Sequence, residues 1–355
     1  MNKTAEAHIN FDKYVNENLS EGLLQCNINL TSLCQHRCIM CFREEKSLKR
    51  NNYIPLDKLK EYYSWFRSLG GTYVFISGGE PLLYPFFDEF LNYLEDLRYN
   101  VVIVTNGLLL NKYKKSLEKQ NITEIRVSLL GLDTTHDKLV NKPGSFRTVI
   151  ENIMDSEELF QKIQINFTAL KSNFNEIEQL INFLINKIKI KKVAIGLPFV
   201  NRNNQLKLKN ELLSIEQKKK FFNTIENLKL RYQNEIINTI YDKNQNARHY
   251  PFCNIGPSHF CINYDNQIWP CGEYEKSIIN MRNIKNAYHF FKLFSKSKFF
   301  KKLACLDMKK CEACDFNCYC SLCVAQNYQN TGLPNKTSMF QCRAAKDIYE
   351  ALHDR

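Results

Sequence analysis

The stretch Cys34-Gln35-His36-Arg37-Cys38-Ile39-Met40-Cys41-Phe42 has residue types and spacing that can do chemistry. Three cysteines at x3 and x2 spacing on one loop can bring three thiolates to three corners of an iron–sulfur cube. The usual cube takes four cysteines, so three leave one iron without a protein ligand. An open metal position can bind a substrate or cofactor, the feature that separates catalytic from structural zinc sites. A zinc site and a set of buried free cysteines are the other readings of the same loop.

A second motif, Ser77-Gly78-Gly79-Glu80-Pro81, follows the next strand-like run. Glycines let the backbone approach a ligand closely and reach conformations closed to other residues. A glutamate beside them can accept from an ammonium group. Together with the cysteine loop, and with Phe42 directly after the third cysteine, this motif resembles the radical S-adenosylmethionine (radical SAM) enzymes. The resemblance implies that Cys34, Cys38 and Cys41 hold a 4Fe–4S cluster. It implies that Phe42 and Ser77 through Pro81 (Gly78, Gly79 and Glu80 between them) bind S-adenosylmethionine, Glu80 at its amino group. Thr105-Asn106-Gly107 resembles a family segment near the same cofactor. Ser128 resembles a serine that reaches the cofactor's ribose or carboxylate, although Leu130 stands where relatives carry an acidic residue. His136, Asp137 and the Gly144-Ser145-Phe146 turn continue the likeness, with Asp137 read as a helix-start or loop residue.

These motifs need a scaffold. From Leu24 to about Leu230 the chain alternates strand-like and helix-like stretches. Strands are expected at Leu24–Leu30, Thr72–Ser77, Val101–Thr105, Ile125–Leu130, Ile163–Ala169 and Val193–Leu197. They are short, β-branched and apolar, as parallel strands buried on both faces would be. Leu56, Leu59, Tyr62, Tyr63 and Phe66 share one helical face. So do Phe146, Val149, Ile150, Ile153 and Met154, and then Ile177, Leu180, Ile181, Leu184 and Ile188. This alternation implies an α/β fold with a parallel sheet. It does not separate a doubly wound sheet from a barrel. The radical SAM resemblance selects a partial (β/α)6 barrel, in which chemistry sits at the carboxyl ends of the strands. Thr168 and Pro198 then face the barrel mouth.

The pattern changes after about Leu230, and a boundary is expected near Asn244. The chain then divides into a segment 1–23, a core 24–243 and a cysteine-rich tail 244–355. The tail runs Cys253-x12-Asn266-x4-Cys271, then Cys311-x2-Cys314, Cys318, Cys320, Cys323 and Cys342. It resembles a SPASM domain, a radical SAM extension that carries two auxiliary 4Fe–4S clusters. Relatives usually have glycine at Asn266, and asparagine tolerates the same positive φ, so a turn between two short strands can still form. The resemblance implies Cys253, Cys261, Cys271 and Cys323 as ligands of one cluster and Cys311, Cys314, Cys320 and Cys342 as ligands of the other. Cys323 falls one residue early against the family spacing, which leaves Cys318, Cys320 and Cys323 ambiguous. Zinc held by Cys311, Cys314, Cys320 and Cys323 is the competing reading. Cys26 and Cys305 are read as buried or free thiols.

Composition narrows the class. Fourteen cysteines without an apolar signal in Met1 to Ser20 argue for metal ligands in a reducing cytoplasm, not a disulfide framework. No apolar run approaches a membrane span. The formal charge of +12 is spread over Lys/Asn-rich helices, as on a solvated surface and not a nucleic-acid site. Clusters would lower that charge to roughly +7, because ligand thiols must be deprotonated.

The resemblance implies reductive cleavage of S-adenosylmethionine to a 5′-deoxyadenosyl radical that takes hydrogen from an unactivated carbon. SPASM members act mostly on peptides or proteins. The expected substrate is therefore a ribosomally made precursor peptide, cross-linked, bridged by a thioether or epimerised. The expected partners are that peptide, its leader held by a separate recognition protein or by contacts along the barrel, and a reductant such as flavodoxin or ferredoxin. A sulfatase-maturing, formylglycine-generating activity is the alternative. Those relatives carry an aspartate directly after the cysteine matching Cys271, where this chain has Gly272 and then Glu273. Glu273, Tyr274 and His259 are read as structural, and no catalytic acid or base is named. A non-catalytic electron carrier or scaffold is the reading from another class, and it needs no open iron.

Overall fold

A computed structural model describes residues 24–232, 237–239, 259–299, 311, 314–320 and 323–353. The expected segment 1–23, the boundary near Asn244, Cys253, Cys305 and the side chain of Cys318 lie outside the described residues. Ten strands among the described residues form one sheet. They are β1 (Leu24–Asn29), β2 (Gly71–Ser77), β3 (Asn100–Thr105), β4 (Ile122–Ser128), β5 (Ile163–Thr168), β6 (Lys192–Gly196), β7 (Ile237–Thr239), β8 (His259–Ile262), β9 (Gln267–Trp269) and β10 (Ile279–Asn280). Their order is β10-β9-β8-β1-β2-β3-β4-β5-β6-β7, and β1 through β7 pair in parallel.

All six expected strands are present. The fourth ends earlier than expected, at Ser128 and not Leu130. Side chains take over the backbone of Leu130 there. Its N–H donates to His136 Nδ1 at 3.1 Å, and its carbonyl accepts from Asn173 Nδ2 at 2.7 Å. A seventh parallel strand, β7, was not expected, because three residues are too few to show a period.

Burial of both strand faces, expected from the sequence, holds in β3, where Val101, Val102 and Ile103 are all buried, but not in the two strands that follow. Burial alternates along β4 and β5. Ile125, Val127, Ile163, Ile165 and Phe167 enter the main apolar core. Glu124, Arg126, Ser128, Gln164, Asn166 and Thr168 form the other, half-buried face. Arg126 of β4 reaches past β3 to stand 5.0 Å over the Phe75 ring of β2. Such convergence marks this polar face as the concave inside of the open barrel, where strands of alternating polarity admit ligands.

Helices cover the apolar face. Leu56–Ser68 buries Leu59, Tyr62, Tyr63 and Phe66. Ser145–Met154 buries Val149, Ile150 and Ile153, but Met154, expected on that face, is 52% exposed at the helix end. Ile177–Phe183 runs into a π-helical turn, Leu184–Ile188, and all five expected apolar residues there are buried.

The tail joins this sheet directly. β8 pairs in parallel with β1, from Gln25↔His259 to Ile28↔Ile262, and turns back into antiparallel β9. The turn needs a left-handed residue, and Asn266 supplies it at φ 66°. Helix Ala287–Ser295 sets Phe290 and Phe294 against Phe260, with Phe66 beside them, so tail and barrel share one aromatic core. No helix among the described residues is long and apolar enough to cross a membrane.

Candidate active site

The cysteine loop leaves the carboxyl end of β1 and is held from several sides. Leu30 N donates to Ser77 O at 2.9 Å, continuing the β1–β2 pairing. Gly79 N and Glu80 N donate to Thr31 O and Leu33 O, both at 2.7 Å. A Cβ on Gly79 would stand 2.3 Å from Leu33 O and 2.5 Å from Ser32 O, and one on Gly78 2.6 Å from Thr31 O. The two glycines are thus needed where one backbone lies directly on another. Arg37 staples the loop from inside, donating to the carbonyls of Cys34 (2.6 Å) and His36 (2.7 Å). A small apolar cluster of Leu130, Leu139, Val140, Leu170, Val200 and Leu208 supports Cys38, Ile39 and Met40.

Glu80 is 1% exposed. Its Oε1 accepts from the Thr105 hydroxyl at 2.6 Å and from Leu82 N at 3.2 Å, and its Oε2 from Asn106 N at 2.7 Å. Burial pushes this carboxyl up to about 7, and the three donors pull it back only in part. The carboxylate therefore ties the loop after β2 to the loop after β3. Asn106 continues the tie, donating to Gln35 Oε1 at 3.0 Å and reaching Cys34 Sγ at 4.0 Å. Phe42 packs edge-on against Phe199 at 5.6 Å, with the Arg43 guanidinium 5.1 Å from its ring centre. Ser128 ends β4 on the inner face, opposite Asn166 of β5. The structure thus brings Phe42, Thr105, Asn106 and the Gly-Gly-Glu turn around the cysteine loop.

Sequence reading missed a buried chain of hydrogen bonds behind that loop. His36, within the cysteine motif, lies 2.9 Å through Nε2 from Ser145 Oγ, and His136 Nε2 lies 3.2 Å from the same oxygen. The three residues are at most 3% exposed. Leu130 N donates to His136 Nδ1, so His136 carries its proton on Nε2 and donates to Ser145, which donates to His36. Asp137, expected at a helix start or in a loop, lies inside helix Asp133–Val140, and its carboxylate accepts from Gly144 N at 2.5 Å and Phe146 N at 2.7 Å where helix Ser145–Met154 begins. The signal for the chain was the pairing of His136 with Ser145 in the motif.

Burial pushes His36 down to about 3, with His136 adding to it, and pushes His136 down to about 4. In the unfolded chain both protonate near 6.5. Between these limits the unfolded state binds more protons, so stability is full above pH 6.5 and is lost as pH falls toward 4. Urea unfolding at pH 7.5, 6.5, 5.5 and 4.5 will show that loss, and His136→Gln will have a shallower pH slope than the unaltered protein.

A comparison with known proteins decides what the loop belongs to. Residues 28–184 match the radical SAM superfamily. The chain carries a radical SAM domain. Proteins of this superfamily bind a 4Fe–4S cluster and S-adenosylmethionine. The Fe-coproporphyrin III synthase of Methanosarcina barkeri is 27% identical over 191 residues, 53% of this chain and 47% of that protein. The GTP 3′,8-cyclase of Aquifex aeolicus is 30% identical over 177 residues, 48% of this chain and 55% of that protein. The chain thus spans about half the length of these curated relatives. Streptococcus suis SuiB, bound to its precursor peptide SuiA, superposes with a TM-score of 0.68 at 18% identity, covering 91% of this chain and 78% of SuiB. The enzyme anSMEcpe, with bound AdoMet and Cp18Cys peptide, superposes at 0.70 and 14% identity, covering 93% of this chain and 97% of that one. At these identities the likeness is one of fold.

The donor set of the radical SAM domain fits a cluster. Cys34, Cys38 and Cys41 are outside any disulfide, half-buried and electrostatically coupled to one another. Burial, with Glu80 next, pushes Cys34 up to about 11, and burial also raises Cys38 and Cys41. Thiols held protonated in this way release protons when they take a metal. No three His, Cys, Asp or Glu among the described residues close on a single metal ion. Thiolates of a cube bind separate irons and so stand farther apart than the ligands of one zinc.

In the tail, Cys311, Cys314 and Cys342 lie close enough to raise the Cys342 thiol through their charges, after burial. Cys271 ends the β9 arm, and its neighbour Tyr274 stacks on Tyr328 at 4.6 Å. Tyr328 sits on helix Val324–Thr331, whose Gln326 N–H donates to Cys323 Sγ at 3.5 Å. The structure thus brings the Cys271 turn to the Cys323 helix. Cys261 faces β1 and β9, 1% exposed, and burial pushes its thiol up to about 12. Cys26 is a fully buried thiol, as expected.

Proposed function

We propose that this chain is a radical SAM peptide maturase with a SPASM-type tail. The observation that carries the proposal is the three-thiol loop docked on the Gly-Gly-Glu turn at the carboxyl ends of β1 and β2. Cys34, Cys38 and Cys41 hold the 4Fe–4S cluster. It supplies the electron that cleaves S-adenosylmethionine to a hydrogen-abstracting radical. Ser77 through Pro81, Thr105, Asn106, Ser128 and Phe42 bind and orient that cofactor, and Glu80 has lone pairs left for its ammonium. Cys253, Cys261, Cys271 and Cys323 hold one auxiliary cluster, and Cys311, Cys314, Cys320 and Cys342 the other. The polar inner face of β4 and β5 admits the substrate, and near contact between radical carbon and target hydrogen selects the site of attack.

Fold likeness over nine-tenths of the chain to enzymes crystallised with peptides supports a ribosomally made peptide as substrate. Gly272 in place of an aspartate counts against formylglycine formation. A separate leader-recognition protein and a flavodoxin or ferredoxin complete the system, in the cytoplasm.

The test is the mass of a short peptide encoded beside the gene, co-expressed with the enzyme without oxygen. Loss of two hydrogens, absent with Cys34→Ala, is the expected result for a cross-link. One deuterium gained from heavy water, with no mass change in ordinary water, is the result for epimerisation. An unmodified peptide overturns the pairing. 5′-Deoxyadenosine formed only with a sulfatase peptide or a small metabolite would assign the enzyme to those substrates instead.

A further inference from the structure

The turn after β6 reads Asn201-Arg202-Asn203-Asn204, and its three asparagines reach the two carbonyls that flank Cys41. Asn201 Nδ2 and Asn203 Nδ2 both donate to Phe42 O, at 2.9 and 2.8 Å. Asn204 Nδ2 donates to Met40 O at 2.9 Å. Asn201 and Asn204 are fully buried. Their amide oxygens accept from the turn's own N–H groups, which settles the amide orientations. The second Asn203 Nδ2 hydrogen goes to Glu275 Oε2 at 2.7 Å.

Glu275 lies four residues beyond Cys271, at a positive φ of 49° that a glutamate adopts only under constraint. Gln329 Nε2 approaches the same Oε2 at 3.4 Å and donates to Tyr274 O at 3.3 Å. Gln326 Nε2, on the same helix, donates to Val200 O at 3.2 Å. That helix begins at Cys323. One continuous set of hydrogen bonds therefore runs from the backbone around Cys41, through Asn203 and Glu275, to the tail segments that carry Cys271 and Cys323.

We infer that Glu275 is a positioning residue that fixes Asn203 and, through it, the Phe42 carbonyl, so that the seat of the Cys41 thiolate depends on the tail. The carboxylate that meets Asn203 is that of Glu275. Two amides converging on one carbonyl leave little freedom to the segment after Cys41. Releasing Asn203 removes one of the two, the one whose amide also bonds Glu275 of the tail. The inference rests on Cys34, Cys38 and Cys41 being the cluster ligands.

The test is hydrogen exchange, read by mass spectrometry over residues 39–44 of the full-length, anaerobically prepared protein. Asn203→Ala and Glu275→Ala should each speed exchange there about tenfold, as for a segment whose local opening is eased. The double variant should be no faster than Asn203→Ala, because both act through one bond. Glu275→Gln keeps an accepting oxygen and should restore slow exchange. The low-temperature resonance of the reduced cluster should change in the two alanine variants and return in Glu275→Gln. Unchanged exchange in both alanine variants, or additive effects in the double variant, overturns the inference. If Glu275→Ala does not fold, Asn203→Ala and Gln329→Ala decide it in the same way. The iron and sulfide content of Cys41→Ala tests the ligand assignment separately, and the exchange result stands whichever way that falls.

Discussion

Cys41→Ala will reduce formation of 5′-deoxyadenosine to the uncatalysed background, a loss of more than about 10³-fold. The other two thiols cannot compensate. Cys34 and Cys38 lie on a loop whose backbone is committed at both ends, to the Gly-Gly-Glu turn and to Arg37. Among the described residues, Cys26 is fixed within β1, and the other cysteines, Cys261 to Cys342, belong to the tail. Two thiolates do not hold a cube that needs at least three. Loss should be as complete for Cys34→Ala and Cys38→Ala, because members of one unit fail together and not additively. Iron and sulfide analysis beside chromatography of the nucleoside products will check this. On the ligand assignment proposed above, the variants should keep iron in the tail and lose that of the barrel. A variant that retains cleavage would remove the loop from the chemistry, and failure of the unaltered, reduced protein to cleave the cofactor would return the electron-carrier reading.

Glu80→Ala is expected to have the next largest effect. It leaves three donors, the Thr105 hydroxyl and the N–H groups of Leu82 and Asn106, without their acceptor in a site closed to water. Each buried unpaired donor costs about 1–3 kcal/mol, so the variant should lose about 3–9 kcal/mol of stability and all measurable binding of S-adenosylmethionine. Glu80→Gln separates the two effects. Its one carbonyl oxygen keeps part of the tie, but it carries no charge for an ammonium.

The sign of the pH dependence is also set by this residue. The Glu80 carboxyl titrates near 7 in the folded chain against 4.5 in its ordinary state, so the native state holds a proton that the unfolded state has lost. Its contribution is full below pH 4.5 and falls as pH rises through 7, opposite in direction to that of His36 and His136. The difference in stability between Glu80→Gln and the unaltered protein should therefore shift in favour of the variant across pH 4.5–7. Urea unfolding of both proteins side by side will show it. A flat difference would mean that Glu80 is ionised throughout.

What the sequence determined by itself was local. Thiol spacing at Cys34, Cys38 and Cys41, the Gly78-Gly79-Glu80 run and the strand–helix alternation are properties of short stretches, and periodicity or side-chain chemistry reads them without a fold. The same holds for Asn266, where one residue type answers one backbone angle. Tertiary structure decided what depends on residues distant in the chain. The polar inner face of β4 and β5 became visible only once the sheet curved, because alternation along Ile-Gln-Ile-Asn-Phe-Thr is compatible with solvent on that side as well as with a barrel interior. The His36–Ser145–His136 chain spans 109 residues between its first two members. The strap from Phe42 to Asn203 and Glu275 spans 161 and then 72. No spacing rule connects such residues. Hydrogen bonds between them form only where packing excludes water and leaves buried donors a single acceptor within reach, and that condition belongs to the folded chain.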